Sequence, residues 1–200
     1  MKKLSWSLSI VLIILTLILY FLKSPYWYNP AVIGVWLFFD NIAHLQKNKT
    51  TLDLIFNQKY KKFLCLYFAL LILAVLIEVI GSLVLKLWSY PKLWAIEPLW
   101  LMLLINFVSY LFYPFILMSF KEMYVVIKSF IKNKYISCII FMLLGIIIWE
   151  IPNIFSQDWI YNIPFISFEI FHINIIVIIG WIILIVAPLY VYKLVDKLIK

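Results

Sequence analysis

The sequence predicts an all-α fold, a polytopic integral membrane helical bundle with about six transmembrane helices and two repeated hairpins. Three observations predict it. The 200 residues are 66% hydrophobic and only 13% charged, far from the roughly 45–50% apolar and about 25% charged residues of soluble domains. Polar residues recur at a constant spacing along an otherwise apolar chain. Lysines lie mostly in every second segment between the apolar runs.

The composition indicates that lipid is the solvent for most of the protein, because so few polar side chains cannot cover this much apolar surface in water. Membrane lipid is therefore the first predicted partner. The formal net charge of +8 comes from lysine alone, since the chain contains no arginine. Nucleic-acid surfaces normally use the two-pronged hydrogen bonding of arginine, so we expect no nucleic acid partner.

Six apolar runs approach the length of about 20 residues that a helix needs to cross a bilayer. They are Ser5–Leu22, Pro30–Leu45, Phe63–Leu85, Pro98–Phe120, Ile136–Ile151 and Ile173–Tyr192. The first follows Lys2 and Lys3 and is predicted to be a retained span, because no cleavage motif of small residues follows it. Asn29 and Pro30 favour a helix start. Pro114 and Pro188 fall inside the fourth and sixth runs and predict kinks there.

The lysines predict orientation, because cytoplasmic segments of membrane proteins are enriched in positive charge. With six spans and both termini inside, three lysines fall in outer segments, namely Lys23, Lys86 and Lys92. The other lysines of the chain all fall in inner segments: Lys2, Lys3, Lys47, Lys49, Lys59, Lys61, Lys62, Lys121, Lys128, Lys132, Lys134, Lys193, Lys197 and Lys200. The sequence therefore predicts a multi-pass cell-membrane protein with both termini in the cytoplasm.

The repeated residues lie at an offset of 72 positions. Lys62, Glu78, Lys121 and Lys128 have counterparts at Lys134, Glu150, Lys193 and Lys200, and a Trp-x-Tyr motif follows each glutamate. We therefore divide the chain into an N-terminal transmembrane hairpin with a basic cytoplasmic loop, residues 1–58, and two membrane repeats, residues 59–130 and 131–200. Both repeats begin on the inner side, so they are predicted to be parallel.

Glu78 and Glu150 are the candidate catalytic residues. Each follows a lysine by 16 residues, which is about 24 Å along a helix and places the carboxyl near the outer end of a core roughly 30 Å thick. One interpretation is that each glutamate only packs its own helix near the interface. The other is that the two carboxyls line one shared cavity, because the halves of a repeat usually pack against one another.

The connections after the two glutamates supply the candidate substrate-binding residues, which are Trp88, Tyr90, Glu97, Trp159, Tyr161 and Glu169. Tryptophan and tyrosine favour the headgroup region, so an aromatic belt is the simpler interpretation. These aromatic residues, however, cluster in two loops directly after the glutamates and are not spread over all helix ends. That clustering favours a binding site.

The second span contains Asp40 and His44 on one helical stripe. An aspartate four residues before a histidine can fix its tautomer or hold it charged. A solvated inner end of the helix explains the same residues. A single histidine with a single aspartate does not indicate a metal site, and no motif in the sequence indicates a cofactor.

The order of a basic cluster, an apolar helix, an acid and a following Trp-x-Tyr resembles the membrane domain of heterodimer-type lycopene cyclases. Glu78 with Trp88-Ser89-Tyr90, and Glu150 with Trp159-Ile160-Tyr161, carry the resemblance over residues 59–200. The Pro-x-Glu-Glu motif of that family is absent. The pattern is also similar to other prokaryotic multispan membrane proteins. The resemblance implies a membrane-embedded helical fold and a hydrophobic, isoprenoid-type substrate.

Three functions remain open at this point. The first is a lipid- or isoprenoid-handling membrane protein, with a hydrophobic small molecule as substrate and an outer cavity lined by Glu78, Glu150 and the Trp-x-Tyr residues. The second is a transporter or channel for a small solute, an ion or protons, in which the two acids bind the cargo. The third is a non-catalytic assembly subunit. The sequence leaves open both a homo-oligomer and a partner subunit.

Overall fold

The computed structural model describes residues 2–96, 98–164, 168–170 and 173–199, and most of them are helical. The helices are α1 Lys2–Phe21, α2 Tyr28–Leu45, α3 Thr51–Phe56, α4 Tyr60–Glu78, α5 Pro91–Trp94, α6 Leu99–Tyr110, α7 Tyr113–Phe130, α8 Lys134–Gly145, α9 Ile151–Ser156 and α10 Ile175–Leu198. Two π-helical turns, Val79–Val84 and Ile146–Glu150, continue α4 and α8. The predicted all-α class is confirmed.

Four strands of two residues each connect the helices at one end of the bundle. They are β1 Trp88–Ser89, β2 Ile160–Tyr161, β3 Glu169–Ile170 and β4 Ile173–Asn174. β1 pairs with β2, and β3 pairs with β4, both antiparallel. We call this end of the molecule the ribbon end, and the opposite end, where α2 meets α3, the lysine-rich end.

Within the described residues, five helical stretches are long and apolar enough to cross a membrane, and this agrees with a multispan membrane protein. They are Lys2–Phe21, Tyr60–Val84, Leu99–Phe130, Lys134–Ser156 and Ile175–Leu198. Large apolar side chains on their outer surfaces are exposed, as expected for helices surrounded by lipid. The second predicted span, now α2, is not among the five, so six crossings remain a prediction.

Helix α2 lies at the centre of the bundle, packed against α1 on one side and α7 on the other. Val32 and Trp36 are buried there. Gly34 permits α1 to come close, since a Cβ at this position would meet α1 atoms at 3.2 Å. The Ser9 hydroxyl donates a hydrogen bond of 2.9 Å to the Gly34 carbonyl. A small residue with a hydroxyl across from it is a common way for two helices to pack in lipid.

The fourth predicted span is divided into α6 and α7 by a turn at Leu111–Phe112. Pro114 therefore lies in the first turn of α7 and not within a continuous helix. Proline fits there because the first N–H groups of a helix have no partner within it. The Tyr67 hydroxyl of α4 donates a 2.7 Å hydrogen bond to the Leu111 carbonyl. Pro188, in contrast, lies inside the unbroken helix α10.

Candidate functional site

The two Trp-x-Tyr segments meet as the ribbon of β1 and β2. Trp88 is the cross-strand partner of Tyr161, and Ser89 is the partner of Ile160. The backbone N–H of Asn162 donates a further 2.7 Å hydrogen bond to the Leu87 carbonyl. Two regions that the sequence places after different helices therefore form one structure, which lies next to both glutamates.

Glu78 ends a buried stripe of α4 that contains Leu66, Leu70 and Ala74, spaced four residues apart along one face. Its side chain is 8% exposed. The Trp88 indole N–H donates to both carboxyl oxygens, at 3.1 and 3.3 Å. The Tyr90 hydroxyl donates to Oε2 at 2.9 Å. The carboxyl group therefore accepts hydrogen bonds from both aromatic residues of its own connection.

Gly81 explains how Trp88 reaches Glu78. A Cβ at position 81 would lie 1.7 Å from an atom of the Trp88 ring, so only glycine leaves room for the indole there. Gly81 lies in the π-helical turn that follows Glu78. Such turns occur often at functional sites, because the inserted residue changes which side chains share a face.

Glu150 is also buried, at 4% exposure, and accepts a 2.9 Å hydrogen bond from the Tyr161 hydroxyl. The Trp159 indole N–H donates to that hydroxyl at 3.1 Å. The side-chain amide of Asn153 holds Trp159 in place: its Oδ1 accepts from the Trp159 backbone N–H at 3.0 Å, and its Nδ2 donates to the Trp159 carbonyl at 2.8 Å. Trp159 therefore donates to Tyr161, which donates to Glu150. Glu78, in contrast, accepts directly from both Trp88 and Tyr90.

Both glutamates line one cavity of about 460 Å³, whose wall is formed mainly by α2, α4, α7, α10, the π-helical turn Ile146–Glu150 and the ribbon. This volume lies within the range of small-molecule pockets. Most of the wall is apolar or aromatic. The aromatic part comprises Tyr26, Tyr28, Trp88, Tyr90, Tyr113, Phe120, Trp149, Trp159, Tyr161 and Trp181. Gly180 also lines the cavity, and a Cβ there would meet no atom within 4 Å.

An ion pair lies at the edge of the same cavity. The Lys92 amine is 3.1 Å from an Asp158 carboxyl oxygen, and the Trp27 indole N–H donates to the other oxygen. Trp27 stacks on Trp159 with ring centroids 6.4 Å apart. These contacts connect the α1–α2 loop to the second Trp-x-Tyr segment and close the ribbon end over the cavity.

The described lining of the cavity contains more acidic side chains than basic ones. Among the described residues no ion pair includes Glu78 or Glu150, although Lys92 pairs with Asp158 nearby. Burial raises the pKa of the Tyr90 hydroxyl and of the Tyr161 hydroxyl well above that of an ordinary phenol. Both hydroxyls therefore stay protonated and available as donors near neutral pH.

Four of the six predicted substrate-binding residues, Trp88, Tyr90, Trp159 and Tyr161, line the cavity together with the two glutamates. Glu169 does not belong to the described lining; it is exposed in β3, opposite Asn174. Glu97 lies outside the described residues.

Sequence reasoning missed several lining residues, including Tyr28, Tyr113 and Trp181. Each is an aromatic residue with a polar tip inside or at the start of an apolar helix. That feature is a usable signal, because such a tip must find a hydrogen-bonding partner when it is buried.

Asp40 and His44 lie away from this cavity, at the lysine-rich end. Asp40 Oδ1 accepts a 3.0 Å hydrogen bond from the Leu52 N–H of α3. The neighbouring Thr51 N–H donates to Glu122 at 2.9 Å, and the two carboxylates thereby satisfy free donors at the start of α3. The His44 ring is 3.1 Å from Asp53. Within the described part of the chain, no group of three or more His, Cys, Asp or Glu residues could hold a metal ion.

The chain was also compared with known proteins, by family, by curated sequence and by solved structure. No family model, curated protein or solved structure matches it.

Proposed function

We propose that this protein handles a lipid- or isoprenoid-type hydrophobic molecule, held in the cavity at the ribbon end and contacted by Glu78 and Glu150. The observation that supports it most is that both buried glutamates line one cavity of about 460 Å³ with mainly apolar and aromatic walls. A wall of this composition favours hydrocarbon over strongly hydrated solutes.

The two glutamates are the proposed acting groups. An acid buried in an apolar wall is rare, because its desolvation is costly, and it is therefore a functional candidate by default. Trp88, Tyr90 and Tyr161 fix the positions of the two carboxyl groups through hydrogen bonds. A positioned carboxyl can contact the polar end of a bound molecule or, in its protonated form, transfer a proton to it.

The proposed setting is the cell membrane, with both termini in the cytoplasm and the ribbon end facing outward. The lysine distribution supports this orientation. The hydrophobic molecule would then be reached from the outer leaflet.

Gly180 provides the test of cavity occupancy. Gly180→Phe adds a ring to a position with no atom within 4 Å of a Cβ and so fills part of the cavity. Ile179→Phe is the matched control, because Ile179 is 55% exposed and does not belong to the described lining. Both proteins would be extracted from membranes in a mild detergent, and their bound hydrophobic molecules identified by native mass spectrometry.

We expect a hydrophobic molecule to accompany the wild type and Ile179→Phe, and to be lost from Gly180→Phe while the protein stays folded. Equal amounts in both variants would contradict the proposal, because the molecule would then bind elsewhere. The absence of any bound hydrophobic molecule from the wild type would contradict it as well.

Transport is the second candidate, favoured by one observation. The lysine-rich end contains a second set of buried acids, Asp40 and Glu122, at 1% and 0% exposure. Carboxyl groups near both ends of a bundle are typical of ion or proton pathways. Purified protein in liposomes would support this candidate if it dissipated a proton or cation gradient, and if Glu78→Gln abolished the flux.

A further inference from the structure

No described residue supplies a counter-charge for the two glutamates of the cavity at the ribbon end. Of the acids in its lining, Asp158 has Lys92 at 3.1 Å. Glu78 and Glu150 have no such partner among the described residues. An unpaired carboxylate in an apolar wall is unfavourable because the charge has lost its hydration. A bound cation would offset part of that loss.

The hydrogen bonds around Glu78 fit this role. The Trp88 indole can only donate, and it donates to both carboxyl oxygens. The carboxyl group is therefore held as an acceptor. A carboxylate still has lone pairs available after two or three such bonds, and these can accept from a positively charged group.

Aromatic rings form part of the wall of the same cavity. Trp88, Trp149, Trp159 and Trp181 all line the cavity, together with Tyr28. Tryptophan is the best ring for attracting a cation over its face, and aromatic residues combined with carboxylates are how proteins recognise quaternary ammonium groups.

The size and the apolar part of the wall favour a molecule larger than a bare metal ion or a small hydrated cation. A volume of about 460 Å³ is many times that of one ion. The described residues include no group of ligands suited to a metal. Ile176, Val177 and Leu184 of α10 line the rest of the space, and these side chains favour a hydrocarbon chain.

We propose that the molecule held in this cavity is a cationic amphiphile, an amine- or quaternary-ammonium-bearing lipid whose head lies between Glu78 and Glu150. The inference rests on the proposed lipid-handling function and names its substrate class. The hydrocarbon chain lies along the apolar wall of α10 next to Gly180.

Three probes distinguish the contribution of a charged head group to binding from that of a hydrocarbon chain. Decyltrimethylammonium carries both, decanol carries the same chain without charge, and tetramethylammonium carries the charge without the chain. Binding to the protein in a neutral maltoside detergent is measured by equilibrium dialysis. We expect decyltrimethylammonium to bind at least about tenfold more tightly than either of the other two.

Glu78→Gln combined with Glu150→Gln removes both charges and keeps an amide oxygen that can accept from Trp88 and Tyr161. We expect this double variant to lose the preference, so that decyltrimethylammonium and decanol bind equally. Glu169→Gln is the matched control, because Glu169 is an exposed acid that is not part of the described lining. It should keep the full preference, and size-exclusion chromatography confirms that all variants are folded.

Two results would overturn the inference. If decanol binds wild type as tightly as decyltrimethylammonium, and Gly180→Phe blocks both, the cavity takes neutral lipids; the proposed function then stands and the cationic head is wrong. If tetramethylammonium binds as tightly as the long-chain probe, the ligand is a soluble cation and the lipid part is wrong. Failure of all three probes to respond to Gly180→Phe contradicts the proposed function itself.

Discussion

Single residues decide how the aromatic side chains reach the two acids. Gly81 and Gly145 each lie against a tryptophan ring, Trp88 in one case and Trp181 in the other. In both cases a Cβ would lie closer than 3 Å to the ring. These glycines are needed for close approach and not for an unusual backbone conformation. A change as small as one methyl group is therefore expected to disturb the site.

We predict that Gly81→Ala lowers stability, because the methyl group would displace Trp88 and remove its hydrogen bonds to Glu78. The expected cost is about 1–3 kcal/mol, typical of overpacking combined with a lost buried hydrogen bond. Thermal unfolding in detergent measures it. Gly180→Ala is the control, since its Cβ meets open space and alanine favours a helix. An equal loss in both variants would contradict the role given to Gly81.

Part of the cavity lining could be predicted from the sequence. The constant offset of 72 and the Trp-x-Tyr motifs pointed to Glu78, Glu150 and four aromatic residues that indeed line one cavity. Glu169 was grouped with them only by closeness in sequence, and a short hairpin of β3 and β4 places it in an exposed position. Closeness along the sequence therefore does not predict whether a side chain in a connecting segment faces the cavity or the surface.

At the scale of helices and strands, α3 is short and depends on its neighbours. A helix of six residues is not stable alone. Thr50 caps it through a reciprocal pair of bonds with Asp53, while Asp40 and Glu122 accept from the next two free N–H groups. The lysine-rich end is therefore closed by a helix whose first turn is bonded to both α2 and α7.

We predict that Glu122→Leu detaches α3, because the Thr51 N–H would lose its acceptor inside the protein. A cost of about 3–5 kcal/mol is expected, because the variant also leaves the buried Lys121 amine without its Glu122 partner at 2.7 Å. Hydrogen exchange of the α3 amides measures it, with faster exchange confined mainly to residues 51–56. Glu122→Gln should be milder, because its amide oxygen can still accept.

Asp196→Asn is the matched control for this change. It breaks the exposed ion pair with Lys62, which is expected to contribute less than about 1 kcal/mol. If Asp196→Asn accelerates exchange in α3 as much as Glu122→Leu does, the docking role of Glu122 is wrong.

The helix boundaries that sequence reasoning missed have local causes. The sequence predicts one kinked helix over residues 98–120, but a turn just before Pro114 interrupts the helix. The Leu111 carbonyl at this turn accepts its hydrogen bond from Tyr67 of another helix. The π-helical turns near Glu78 and Glu150 were not predicted either. Their residues, such as Val79–Val84, have the same apolar composition as ordinary helix, so no local signal marks them.

At the scale of the whole molecule, an apolar exterior surrounds two polar regions at opposite ends. One is the cavity with Glu78 and Glu150, and the other is the buried set around Asp40 and Glu122. The middle of the bundle between them is packed with large side chains such as Phe120, Phe141 and Met118. The parallel repeat of residues 59–130 and 131–200 stays a prediction.

We predict that the ribbon end faces outward. In a cysteine-free background, Lys86→Cys should react with a membrane-impermeant thiol reagent in intact cells. Lys197→Cys should react only after the membrane is opened. Both lysines are exposed, so access to the reagent differs only by side of the membrane. Labelling of Lys197→Cys in intact cells would reverse the orientation and place the cavity on the cytoplasmic side.

The ribbon of β1 and β2 has a thermodynamic consequence for the two acids. Trp88 and Tyr161 are direct cross-strand partners, yet each donates a hydrogen bond to a different glutamate. Such a short strand pair is not stable alone, so its formation depends on contacts at both carboxyl groups. A ligand that strengthens or breaks the contact at one glutamate must change the affinity at the other by a reciprocal factor. The two acids are therefore expected to act as one coupled unit, so that the effects of Glu78→Gln and Glu150→Gln on the affinity for one ligand do not add.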